Sequence, residues 1–143
     1  MTRRLPFLFL LIVAASPASA DQFNIRCLTS VGLTTPLRIQ LGLPSDSDGG
    51  GYVLYQGGSG PIPLKMLKVT ELRRVYGGRP SEMETQLVEI TPAGAAGRYV
   101  FTSQGAIIDD FRSIRKDGSL VKFVDDPDEL GTGRCSWTSP GGE

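Results

Sequence analysis

The sequence predicts an all-β domain, a small antiparallel up-and-down β-barrel or sandwich of about eight short strands. Three observations lead to this prediction. Apolar residues alternate with polar ones along several short segments, and glycine and proline fall between those segments at intervals of about ten residues. The two cysteines of the chain lie close to its two ends.

Alternation with a period of two marks the strands, because successive side chains of a strand point to opposite faces. It is clearest where Leu37, Ile39, Leu41 and Leu43 alternate with Arg38, Gln40 and Gly42. Short runs of the same character predict further strands at 23–27, 52–56, 83–90, 99–102, 106–115, 120–124 and 134–138.

Turn residues separate these strands. Asp117-Gly118 predicts a tight hairpin turn with positive φ, and glycine and proline cluster at 49–51, 57–61, 77–80, 92–97 and 127–133. The segment from Leu64 to Tyr76 fits either a strand with a bulge near Met66-Leu67 or a short helix, and its β-branched residues favour the strand.

The cysteines predict a disulfide between Cys27 and Cys135, because an exported chain folds in an oxidising compartment. Cys27 alternates in step with Phe23 and Ile25, and Cys135 with Trp137, so both sulfurs are expected to point inward. Their bond would place the first strand beside the last one, which is the arrangement that a closed barrel requires. The alternative is a pair of buried free thiols.

The export itself is predicted from residues 1–20, which resemble a signal peptide. Arg3 and Arg4 precede an apolar run of 11 residues from Leu5 to Ala15, and small residues end the segment. That run is too short to cross a bilayer as a helix. Cleavage after Ala20 would leave one domain, residues 21–143, free in the periplasm or secreted, with no membrane span.

Composition excludes several classes of function. The chain has no histidine, so Ser-His-Asp and Cys-His catalysis and histidine-ligated zinc are absent, and it carries no nucleotide-binding glycine motif. Without Arg3 and Arg4 the chain has 13 basic and 15 acidic residues, a formal charge of −2. A charge so close to zero argues against nucleic acid as a partner. We expect no cofactor and no metal.

Acidic residues leave two alternatives to weigh. The turn Asp125–Glu129 is a candidate calcium site, although acidic turns of this kind are more often exposed to solvent without a metal ion. Asp109 and Asp110 are adjacent, so on a strand they face opposite sides and cannot form a paired-carboxylate site by themselves. A carboxylate-based hydrolase is therefore the third-ranked function.

The candidate interface consists of Arg73, Arg74, Tyr76 and Arg79, which surround a Gly-Gly turn. Arginine and tyrosine are the residue types that contribute most to protein–protein binding. The ordinary reading of such a segment is a solvated loop. The other aromatic residues are expected to serve mainly in packing.

In outline, the chain is similar to small periplasmic inhibitor barrels such as the lysozyme inhibitors. The likeness rests on size, export, short antiparallel strands and a cysteine in the first and last strands. The Ser-Gly-x-x-Tyr loop of those proteins is not present: Ser59-Gly60 leads into Pro61-Ile62-Pro63, and Gly97-Arg98-Tyr99 lacks the preceding serine. The resemblance therefore assigns no functional residue.

Together these features predict an exported non-catalytic binding module that recognises another protein, as an inhibitor or immunity-type factor does, through loops at the barrel rim. The alternative is a carrier of a small apolar ligand inside the barrel. An enclosed apolar cavity would favour the carrier, and a filled interior with polar rim loops would favour the protein binder.

Overall fold

A computed structural model describes residues 23–45 and 49–138, and in it eight strands form a closed barrel. Each strand is antiparallel to the next one in the chain, and β8 pairs with β1 to complete the ring. The strands are β1 (Phe23–Val31), β2 (Arg38–Pro44), β3 (Tyr52–Tyr55), β4 (Ile62–Arg73), β5 (Glu82–Thr91), β6 (Gly94–Gln104), β7 (Ile107–Ile114) and β8 (Leu120–Asp125). The predicted fold class is confirmed, and the barrel rather than the sandwich is formed. The predicted signal peptide lies outside the described residues.

Large side chains fill the middle of the barrel. Phe111 lies among three other rings, with centroid distances of 5.7 Å to Tyr99, 5.6 Å to Phe101 and 6.0 Å to Phe123. Aliphatic side chains from five further strands pack against them: Leu28, Ile39, Leu41, Val53, Leu64 and Leu87. The alternation seen at residues 37–43 thus places its leucine and isoleucine side chains in the core, as predicted.

Of the two structures that the sequence allows for the segment beginning at Leu64, the strand with a bulge is formed. This is the alternative that the β-branched residues favoured. Met66 pairs with Leu87 and Lys68 with Gln86, so Leu67 is the extra residue on β4. β4 is also long, and its pairing with β3 involves only Ile62 and Pro63 among the described residues. The β4–β5 hairpin therefore extends past the short strand β3.

The predicted disulfide forms between Cys27 and Cys135, with an S–S distance of 2.07 Å. The strand expected at residues 134–138 does not form, however. After β8 the chain enters a short 3-10 helix, Pro127–Glu129, and Cys135 makes a single bridge to Leu130. The reason is that β8 and β1 already pair with each other, so the closed ring leaves no edge for a further strand.

The inward direction predicted for the two sulfurs is wrong. Leu28 and Ile39, which pair with each other, face the core, so Cys27 and its partner Gln40 lie on the outer face. Both are nevertheless buried, because the segment after β8 covers them. Gln40 holds this segment in place, since its Oε1 accepts the backbone N–H of Cys135 at 2.8 Å.

The first half of the predicted turn 92–97 belongs to a hairpin, and the second half is strand. The turn closes between Thr91 and Gly94, with the hydroxyl of Thr91 donating to the Gly94 carbonyl at 2.8 Å. Gly94 has a φ of 107°, which a residue with a side chain rarely adopts. β6 therefore starts earlier than the sequence predicted, and it includes Gly97.

Candidate functional site

The alternation of strand directions places the connecting loops at two ends of the barrel. We call the end that carries the β1–β2, β3–β4, β5–β6 and β7–β8 loops the upper end. The other end carries the β2–β3, β4–β5 and β6–β7 loops and the segment after β8, and we call it the lower end. The predicted interface residues and the polar cluster described below lie at opposite ends.

The four predicted interface residues lie together on the β4–β5 hairpin at the lower end. Tyr76 is 85% exposed, and the side chains of Arg73 and Arg74 are 69% and 68% exposed. Arg79 is exposed as well. Two glycines with positive φ, at 86° for Gly77 and 78° for Gly78, reverse the chain beside Tyr76. We call these four residues the hairpin tip.

Ion pairs at the hairpin tip are local and solvated. Arg73 pairs with Glu82 across the hairpin at 3.4 Å, and Arg74 pairs with Glu71 at 3.1 Å. Exposed pairs of this kind contribute about 0–1 kcal/mol. The arginines can therefore exchange these partners for carboxylates of another protein with little loss of free energy.

A polar cluster is buried at the upper end of the barrel, where the sequence analysis assigned no site. Glu89 is only 7% exposed, and its Oε1 accepts hydrogen bonds from Tyr55 at 2.6 Å and from Tyr99 at 2.5 Å. The two phenol oxygens also contact each other.

Burial keeps both phenols of this cluster protonated. Desolvation raises the pKa of Tyr55 to about 12, and the hydrogen bond with Glu89 adds to the effect. Desolvation likewise raises the pKa of Tyr99 above its ordinary value, and the neighbouring Tyr55 and the hydrogen bond to Glu89 raise it further. Each phenol is therefore a hydrogen-bond donor at neutral pH.

A cavity of about 180 Å³ opens above this cluster. Glu89 and Tyr55 line it together with the positively charged residues Arg115 and Lys116 of the β7–β8 loop. The remaining lining residues are Leu37, Gly97, Ser113, Val121 and Phe123. The predicted Asp117-Gly118 turn is confirmed and positions this loop: Gly118 has a φ of 85°, and Asp117 accepts the backbone N–H of Ser119 at 2.8 Å.

The acidic residues singled out in the sequence make contacts within the protein. In the turn Asp125–Glu129, Asp125 pairs with Arg26 at 3.0 Å and Glu129 accepts the hydroxyl of Ser136. Asp110 pairs with Arg112 at 3.3 Å. Among residues 23–45 and 49–138, no three acidic, cysteine or histidine residues are grouped so that they could hold a metal ion.

Sequence reasoning missed Glu89, although a signal was present. Glu89 alternates in step with Leu87, so a charged residue stands on the apolar face of a strand. The hydroxyls of Tyr55 and Tyr99 satisfy it, and neither tyrosine has a pattern that separates it from an ordinary core residue. Arg115 and Lys116 join the site only because the barrel closes.

Comparisons with known proteins give no match. No protein-family model matches the chain, and neither curated proteins nor solved structures show significant similarity to it. In the described part of the chain, no helix has the length and apolar character needed to cross a membrane.

Proposed function

We propose that this protein is an exported, non-catalytic binding module that recognises another protein through the hairpin tip, as an inhibitor or immunity-type factor does. The observation that carries the proposal is the exposure of Tyr76, at 85%, on a hairpin that extends past its neighbouring strand. Burial of an exposed tyrosine against a partner contributes favourable free energy to binding. Arginine is, like tyrosine, enriched among the residues that contribute most to protein–protein binding.

The pairing of β4 with β5 supports this role. The two strands are paired from Leu64–Glu89 to Arg73–Glu82, with register shifts at Leu67 and Leu72, so an antiparallel ladder leads up to the tip. This ladder orders the backbone at the base of the tip before a partner binds, which lowers the entropic cost of binding. Arg73, Arg74 and Arg79 outnumber Glu71 and Glu82 at the tip, which favours a partner with an acidic surface.

The filled interior favours protein binding over the alternative of a carrier. Phe111 and its aromatic neighbours occupy the middle of the barrel, where a carrier would enclose its ligand. The third-ranked hydrolase receives less support, because Glu89 is the single carboxylate among the residues that line the upper cavity. Glycoside hydrolysis ordinarily uses two carboxyl groups roughly 5–9.5 Å apart.

Export to the periplasm or to the medium is part of the proposal. The disulfide between Cys27 and Cys135 is typical of proteins that fold in an oxidising compartment. The signal-like features of residues 1–20 point the same way.

Affinity capture from the periplasm of the host, followed by mass spectrometry, tests the proposal. The tip variant would carry Arg73→Ala, Tyr76→Ala and Arg79→Ala. The matched control would carry Arg98→Ala, Leu120→Ala and Lys122→Ala, which change exposed residues on β6 and β8. We expect the wild type and the control to capture the same protein, and the tip variant to lose it.

Binding of the captured protein should then be reproduced with purified components. A loss of at least about tenfold in affinity for the tip variant is expected from the removal of one tyrosine and two arginines. Equal affinity for the tip variant and the wild type would refute the hairpin tip as the interface. If instead the control variant loses binding, the interface lies on β6 and β8.

A further inference from the structure

The cavity at the upper end is smaller than a typical site for a drug-sized molecule. Its volume of about 180 Å³ corresponds to about six water molecules. Drug-sized ligands occupy cavities of about 300–1,000 Å³, so a ligand here has few non-hydrogen atoms. Leu37, Val121 and Phe123 give the cavity apolar walls.

The floor of this cavity carries an acceptor with no protein donor. Both tyrosine hydroxyls bond to Oε1 of Glu89, and among the described residues no donor reaches Oε2. Glu89 lines the cavity, and Oε2 lies beside Gly97, another residue of the cavity lining. A carboxylate oxygen on a residue only 7% exposed is thus left for a donor from outside.

Gly97 keeps the space in front of this carboxylate free. A Cβ at position 97 would lie 3.7 Å from both Oε1 and Oε2 of Glu89, in ordinary contact with them. Any longer side chain would extend into the cavity. The lack of a side chain at this position therefore creates access to the buried charge.

The rim has the opposite charge to the floor. Arg115 and Lys116 line the cavity from the β7–β8 loop, whose backbone turn is closed by hydrogen bonds of Arg115 with Ser119 and Gly118. A small anion alone would meet the negative charge of Glu89, and a small cation alone would have to pass the two positive charges. A neutral apolar molecule would leave Oε2 of Glu89 without a donor, which is costly in a buried site.

We propose that this cavity binds a small amino acid as a zwitterion, with its ammonium group donating to Oε2 of Glu89 and its carboxylate at Arg115 and Lys116. The apolar walls favour a ligand whose remaining part is short and aliphatic. This site is at the opposite end of the barrel from the hairpin tip, and it does not depend on the function proposed for that tip.

Isothermal titration calorimetry on the exported protein tests the assignment. The ligands would be glycine, valine and γ-aminobutyrate, with propylamine, propionate and trimethylglycine as controls that lack one charge or the N–H donors. We expect heat of binding from at least one amino acid, and at least about tenfold weaker binding of each control, because a hydrogen bond to a charged group is lost.

Variants locate the site. Glu89→Gln and Gly97→Leu should each weaken amino-acid binding at least about tenfold, the first by removing the charge and the second by filling the cavity. Glu84→Gln, on the other face of the same strand, should bind as the wild type does. Near-ultraviolet circular dichroism checks that each variant is folded. If either Glu89→Gln or Gly97→Leu misfolds, the other variant still tests the site.

Three outcomes would overturn the proposal. The first is the absence of heat from any amino acid up to its solubility limit. The second is binding of propylamine or propionate as tight as that of the amino acids. The third is equal binding by Glu89→Gln and Glu84→Gln. The tip variant should retain amino-acid binding, so failure of the hairpin-tip interface and failure of this site are separate results.

Discussion

The phenol of Tyr99 donates a hydrogen bond to Oε1 of Glu89, with 2.5 Å between the two oxygens, at the upper end of a barrel whose middle is apolar. Tyr55 of β3 donates to the same oxygen at 2.6 Å. The buried carboxyl group of Glu89 is therefore held by hydrogen bonds from β3 and β6.

Replacement of the phenol by a phenyl ring tests the strength of this contact. Tyr99→Phe should lower the free energy of unfolding by about 1–3 kcal/mol, because the buried carboxyl group of Glu89 loses one of its two donors. Urea unfolding followed by circular dichroism measures the change. Tyr76→Phe, at a position that is 85% exposed, is the matched control and should leave stability unaltered. A variant Tyr99→Phe as stable as that control would mean that the hydrogen bond contributes nothing.

Alkaline pH should destabilise the protein through the same two phenols. In the unfolded chain they lose their protons near the ordinary pKa of 10.0, whereas in the folded protein Tyr55 keeps its proton up to a pKa of about 12. Between these values the folded state binds more protons than the unfolded state, so the free energy of unfolding falls as pH rises. The burial of Tyr99 extends the fall to higher pH.

Urea unfolding at a series of pH values measures this dependence. Below pH 10.0 the two tyrosines should add no slope, and above it the wild type and Tyr76→Phe should lose stability equally. The double variant Tyr55→Phe/Tyr99→Phe should lose stability less steeply. The same slope in the double variant and in the wild type would assign the alkaline unfolding to other groups.

Removal of the disulfide should release the C-terminal segment while the barrel stays folded. Replacing Cys27 and Cys135 by alanine opens a connection of 108 residues and should cost about 2–5 kcal/mol. The core should persist, because the bond lies on the outer face and the core side chains pack without it. Trp137, the single tryptophan, is half-buried in this segment, so its fluorescence should shift to the red.

Reduction of the native protein provides the second measurement. Cys27 and Cys135 are 2% and 0% exposed, so mild reductant should act slowly on the folded protein and quickly in urea. Reduction at one rate under both conditions would contradict the burial of the bond. Loss of the strand signal in the alanine variant would contradict the independence of the barrel from the segment.

Processing of the exported chain is the last prediction. Ala18 and Ala20 occupy the small-residue positions before the expected cut, so the mature N-terminus should be Asp21. The intact mass of protein recovered from the periplasm or medium checks it. Recovery of the uncleaved chain in the membrane fraction would contradict both the cleavage and the export of a free domain.

The strands were predictable because their signal is local. Leu37, Ile39 and Leu41 alternate with polar residues, and this pattern alone places a strand with one buried face at this position. The bulge near Leu67 and the Asp117-Gly118 turn were also predicted from neighbouring residues, and both are confirmed. The hairpin tip was proposed as an interface from its residue types, and the structure shows that these residues are exposed.

The position of Cys27 on the outer face was not predictable, because its burial there depends on what covers that face. Ile25 and Cys27 have the apolar character of buried residues. This pattern does not distinguish burial of Cys27 in the barrel core from burial under the C-terminal segment. The disulfide pairing followed from the presence of two cysteines and from the predicted export of the chain. The location of the disulfide on the outer face of the barrel followed from the closure of the ring of strands.

The amino-acid sequence by itself determined an all-β chain, the positions of most turns, the one disulfide and the absence of histidine chemistry, since each depends on residue identity or on contacts between neighbours in the chain. Only the tertiary structure decided that β8 closes onto β1, that Glu89 meets Tyr55 and Tyr99, and that Arg115 and Lys116 stand above the cavity. These contacts join residues far apart in the chain. Their geometry is fixed by strand register and barrel closure, which no local pattern of residues encodes.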